Sequence, residues 1–126
     1  MGKQYTAIMP GGTERFAADF SMGRAALFYD IALLLERHVH LPCGIAPDPG
    51  DEEHRIDVSL FVPFFERVWS EGWLVDVQGG FLSGWAAYAA GIIENATLQS
   101  RTWTDRYGIQ LSVRRYQKPD EFQATP

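Results

Sequence analysis

Between Leu41 and Glu53 the chain carries Pro42, Pro47 and Pro49 together with Gly44 and Gly50, and no regular element is expected to run through that stretch. Proline removes a backbone donor and fixes φ, while glycine bends freely, so the apolar halves on either side fold as separate runs joined by a loop. The loop belongs to a longer polar stretch, His38 to Asp57, which holds His38, His40 and His54, the single cysteine Cys43 and an acidic run. Leu41 and Ile45 are expected to tuck beneath it, giving a packed loop of the kind that often carries function in compact domains.

A length of 126 residues suits one domain with its own core. We expect that domain over residues 1–118, with 119–126 as a flexible tail beyond Pro119. Aromatic residues make up 13% of the chain, far from the composition of disorder. One cysteine cannot staple the fold internally, which predicts a reducing, cytoplasmic setting. No apolar run approaches the roughly 18–20 residues of a membrane span, and no sustained apolar region near Met1 suggests a secretory leader.

The pattern on the N-terminal side predicts a short strand over Gln4–Met9, stopped by Pro10-Gly11-Gly12. Thr13–Phe20 is ambiguous: Phe16 and Phe20 share a helical turn, and little else speaks for a helix. Ser21 reads as an N-cap for a central core helix to Arg37 or His38. Its apolar face would be Leu27, Phe28, Ile31, Leu34 and Leu35, with Arg24, Asp30 and Arg37 opposite.

Beyond the loop two periods compete. Ile56, Val58, Leu60 and Val62 alternate as in a strand, whereas Leu60/Phe61, Phe64/Phe65 and Val68/Trp69 advance in helical steps. The helix is favoured, from about Ser59 to Glu71, capped by Asp57 or Ser59 and preceded by a few extended residues. Trp73–Gln78 reads as a strand, Gly79-Gly80 as a turn, Ser83–Asn95 as a third helix with Trp85, Tyr88, Ala89, Ile92 and Ile93 inward, and Tyr107–Gln117 as a half-buried strand. The expected fold is α+β in the order β-α-α-β-α-β, a sheet of about three to four strands with helices packed on one face.

Three chemistries can be built from these residues. His38, His40, Cys43 and His54 are borderline-soft ligands that could hold zinc, but they lack the paired spacings of a structural zinc site. The competing reading has His38 and His40 finishing the first helix, Cys43 as a small buried hydrophobe and His54 on the surface. Cys43 as a nucleophile lacks an evident helix N-terminus to activate it and has acids nearby. Arg101, Trp103, Arg106, Tyr107, Arg114, Arg115 and Tyr116 have the residue types that stack bases and pair phosphates, within a domain whose net charge of −5 is wrong for nucleic acid. No phosphate-binding, nucleophile-elbow or metalloprotease motif is present, which argues against an enzyme.

Charge distribution separates the readings further. Residues 48–76 carry eight acids against Arg55 and Arg67, and residues 101–118 carry five bases against Asp105. Either these segments neutralise each other, or they steer a charged partner. The sequence therefore points to a small acidic protein-binding domain, an inhibitor of another protein of immunity or phage anti-defence type. It would meet a basic protein surface through Asp48, Asp51, Glu52, Glu53 and Asp57, with no cofactor and no membrane; a homodimer is compatible with the pattern.

Overall fold

The computed structural model describes residues 2–47, 53–71 and 79–113. Four strands form one mixed sheet: β1 (Gly2–Ile8), β2 (Glu14–Ser21), β3 (Ile45–Pro47) and β4 (Glu53–Asp57), in the spatial order β2-β1-β4-β3. Three helices pack on it, α1 (Met22–Val39), α2 (Val58–Ser70) and α3 (Gly79–Thr97). The fold is a single small α+β domain, as the alternation of periods predicts. Its element order over the described residues is β-β-α-β-β-α-α. The strand expected over Trp73–Gln78 and the tail expected at 119–126 lie outside the described residues.

The ambiguous segment Thr13–Phe20 is resolved as β2. It pairs antiparallel with β1 around a turn in which Met9 and Gly12 amides donate to Thr13 and Met9 carbonyls, and Gly11 and Gly12 take φ of 96° and 93°. Those angles require glycine. Register slips between Tyr5 and Thr6, which leaves Ala17 as the extra residue of a β-bulge. Ala17 and Ala18 are both fully buried, and the Asn95 amide of α3 donates to the Ala17 carbonyl at 3.1 Å. The bulge thus supplies the acceptor that ties the sheet edge to α3.

Helix α1 covers β1 and β2. It buries Ala25, Phe28, Ile31, Ala32, Leu35 and Val39, but Leu27 and Leu34 stay 48% and 55% exposed. The five-residue apolar face expected from the sequence is therefore too wide: one helix buries a single stripe, and these two leucines sit on its flank. The innermost helix is α3, where ten of the twelve residues from Trp85 to Ala96 are buried and only Tyr88 and Asn95 are half-buried. It begins at Gly79, so Gly79-Gly80 is its first turn rather than a turn between elements.

Helix α2 starts one residue before the expected position, capped by Asp57, whose Oδ1 accepts from the Ser59 amide at 3.0 Å and the Ser59 hydroxyl at 2.6 Å. β4 supplies the extended residues ahead of it. The segment after α3 is not the sheet strand expected over Tyr107–Gln117. Asp105 Oδ1 accepts from Tyr107 and Ile109 amides, folding the chain into a small hairpin bridged at Thr104 and Gln110. Alternation produces an extended segment, but a turn fixed by Asp105 and Gly108 selects its own neighbour as partner. Residues 114–117 lie outside the described residues.

The aromatic residues form a connected core. Tyr5 meets Phe20 and Phe28 edge-on at 5.1 and 5.5 Å, Phe28 stacks on Trp85 at 5.2 Å, and Phe65 reaches Trp85 at 5.9 Å and Trp103 at 5.0 Å. Two of its polar tips are satisfied locally, the Tyr5 hydroxyl donating to the Ala25 carbonyl at 2.7 Å and the Trp85 indole to the Phe28 carbonyl at 3.1 Å, whereas the buried Trp103 indole N–H finds no partner among the described residues. These rings join sheet, helices and the final hairpin into one unit.

Candidate functional site

The stretch His38–Asp57 is distributed over four local environments. His38 lies in the last turn of α1, and His40 follows it at φ 59° with its amide donating to the Glu36 carbonyl at 3.0 Å. Both histidines therefore finish the helix. The next residues fold back under the Glu36 side chain, which accepts from the Cys43 amide at 2.8 Å. Gly44 then passes β4 and α2 so closely that a Cβ there would lie 2.9 Å from the Asp57 carbonyl oxygen and 2.9 Å from Leu60 Cβ. Its φ of 77° and this crowding fix the entry to β3.

Cys43 is 1% exposed, and burial pushes its thiol up to about 11, with the Glu36 carboxylate acting in the same direction. Such a thiol is protonated at neutral pH and suits a packing role rather than nucleophilic attack. Burial likewise raises the Tyr29 hydroxyl above its usual value, with smaller contributions from Cys43, Glu36 and Asp30.

His54 departs from the surface position expected of it. It is 4% exposed and stacks on Tyr5 with ring centroids 4.6 Å apart, while Tyr29 approaches its other surroundings at 5.6 Å. The period of β4 explains this, since His54 and buried Ile56 share one side of the strand while Arg55 is exposed on the other. That alternation was legible in the sequence. Among the described residues, no three His, Cys, Asp or Glu side chains are grouped as a metal ion would need. The zinc candidates His38, His40, Cys43 and His54 thus divide into two exposed residues at a helix end and two buried in the core.

The acidic residues occupy the other half of the stretch. β3 and β4 pair antiparallel through Ile45 with Ile56 and Pro47 with His54. The connection between them includes Asp48, Asp51 and Glu52, which lie outside the described residues. Glu53 opens β4 and Asp57 closes it. Ile45, His54 and Ile56 are buried, so both ends of the connection are anchored in the sheet.

Among the described residues, the other acids of the segment are engaged within the chain. Glu66 Oε2 accepts from Arg101 at 2.9 Å, and Glu71 pairs with Arg67 at 2.8 Å along α2. Asp57 holds the α2 cap. The acidic and basic segments therefore do meet, at Glu66 and Arg101. Arg101 also lies 3.8 Å from the centroid of the Trp103 ring, whose residue is buried. Arg106 lies over Tyr107 at 5.4 Å, and Arg114, Arg115 and Tyr116 fall outside the described residues. Trp103 is thus turned to internal packing rather than to a stacking platform, with exposed Arg101 lying against its ring.

Among the described residues, no helix is long and apolar enough to cross a membrane. Compared with family models, curated proteins and solved structures, the chain finds no match.

Proposed function

We propose that this chain is a protein-binding domain that engages a basic surface of its partner through the acidic connection between β3 and β4, and that it acts as an inhibitor of that partner, of the immunity or anti-defence kind. The observation that carries this reading is the distribution of compensated charge. In the acidic segment 48–76, the acids whose side chains are described, Asp57, Glu66 and Glu71, are each engaged within the chain. Of the five others, Asp48, Asp51, Glu52 and Glu53 fall in one short stretch flanked by buried β3 and β4 residues, and Asp76 stands apart. Carboxylates presented together from a rigid base attract a basic surface over about 8–10 Å at ordinary ionic strength and speed association.

The test is a pulldown with immobilised protein, comparing wild type with the triple variant Asp51→Lys, Glu52→Lys, Glu53→Lys at matched far-ultraviolet circular dichroism. The expected result is a basic protein captured by wild type and lost by the variant, with the difference largest at low salt. Equal capture of the same proteins by both forms would remove the acidic connection from the interface.

A further inference from the structure

The flank of α1 carries two leucines that stay exposed among the described residues. Leu27 and Leu34 stand two turns apart, 48% and 55% exposed, and Leu27 also rims an open cleft of about 200 Å³ lined by Phe20, Ile31, Trp85 and Tyr88. Exposed leucines occur singly on most proteins; here two share one helix face, and one of them borders an aromatic cleft. The same face carries exposed Asp30 between the leucines and exposed Arg37 beyond them. Neither side chain forms an ion pair among the described residues.

This order of groups is self-complementary. With a rise of about 1.5 Å per residue, Asp30 lies about 6 Å before Leu34 along the helix axis and Arg37 about 4.5 Å after it. Two copies of α1 placed antiparallel about a two-fold axis at Leu34 bring Leu34 against Leu34 and each Asp30 within reach of Arg37 of the second copy. The competing register, centred between Asp30 and Ile31, would match Leu27 with Leu34. It would also bring the two Asp30 side chains together, so like charges oppose it. We infer that the chain forms a two-fold homodimer in which the α1 helices pair antiparallel about Leu34, closed by reciprocal Asp30–Arg37 contacts. Such an isologous pairing uses the Leu34 face of α1 twice.

Sedimentation velocity over a range of protein concentrations tests this directly. Wild type is expected to shift from monomer to dimer mass as concentration rises. Asp30→Arg and Arg37→Asp should each raise the dimer dissociation constant by about tenfold or more, since two attractive contacts become two repulsive ones. The double variant Asp30→Arg with Arg37→Asp should restore the wild-type constant, because the pairs re-form with exchanged sign. Leu34→Arg should leave monomer at every concentration, and the charge variants, both at exposed positions, keep the test sound if that one misfolds. Wild type at monomer mass throughout would overturn the proposal. So would a dimer that the single charge variants leave unchanged, or a double variant no better than the singles. None of these readouts depends on the acidic connection, so this test and the pulldown fail independently.

Discussion

Gly44 is the residue on which the polar stretch turns, because it lets the chain pass β4 and α2 with no side chain between them. Alanine there would hold a left-handed φ and press a Cβ against the Asp57 carbonyl, whereas Gly11, also at positive φ, has nothing within 4 Å of its Cβ position. We expect Gly44→Ala to lower unfolding free energy by about 1–3 kcal/mol and Gly11→Ala by about 1 kcal/mol, read from urea denaturation. An equal loss for both would show that backbone angle alone matters and that the close approach does not. Cys43 offers a pH signature. Its thiol sits at about 11 in the folded chain against an ordinary value of 9.0, so the folded state disfavours the thiolate. That preference stabilises the fold fully below about pH 9 and is lost as pH rises towards 11; it amounts to something on the order of 2 kcal/mol. Cys43→Ala should flatten the alkaline fall in stability relative to wild type, and native protein should react with a thiol reagent far more slowly than unfolded protein. Some of this scale was legible beforehand. Asp57 as a cap follows from local chemistry, and the helix-ending histidines follow from position. The burial of His54 also lay in the strand period, but it was hidden by the polarity of its neighbours.

Element boundaries were legible where one period dominated and failed where two local signals conflicted. α1 and α2 follow from their periodic apolar residues, and β4 with α2 resolves the competing alternation by using each in turn. β2 was obscured because a bulge at Ala17 breaks the two-residue alternation, leaving Phe16 and Phe20 looking like a helical pair. α3 starts at Gly79, where the glycine pair read alone marks a turn. Leu98 follows the end of α3 at φ 59° with its amide donating to the Glu94 carbonyl, and it is 70% exposed. A leucine in that conformation is strained and gains no burial, while glycine is at ease there. Leu98→Gly is expected to raise stability by about 0.5–1 kcal/mol, measured as an upward shift in the urea midpoint at constant slope. A fall in the midpoint would mean that the left-handed helix end is not held at Leu98 in solution.

At the scale of the molecule, α+β class and single-domain size follow from length and pattern, and the aromatic content becomes one ring-to-ring core. Charge asymmetry was visible in the sequence, but its resolution was not, because pairing across distant segments depends on the fold. Glu66 with Arg101 shows the two segments neutralising each other at one point, an exposed pair of the kind that contributes little stability. In the sequence, Asp48, Asp51, Glu52 and Glu53 cluster in and beside the connection between β3 and β4. The proposed function puts a basic partner at that connection, and the proposed dimer uses the Leu34 face of α1. The most direct measurement is the association rate of the captured partner with wild type and with the Asp51→Lys, Glu52→Lys, Glu53→Lys variant across a series of salt concentrations. Steering by the acidic connection predicts a wild-type rate that falls steeply with salt and a variant rate that is slow and nearly flat. Two rates that coincide at every salt concentration would contradict it.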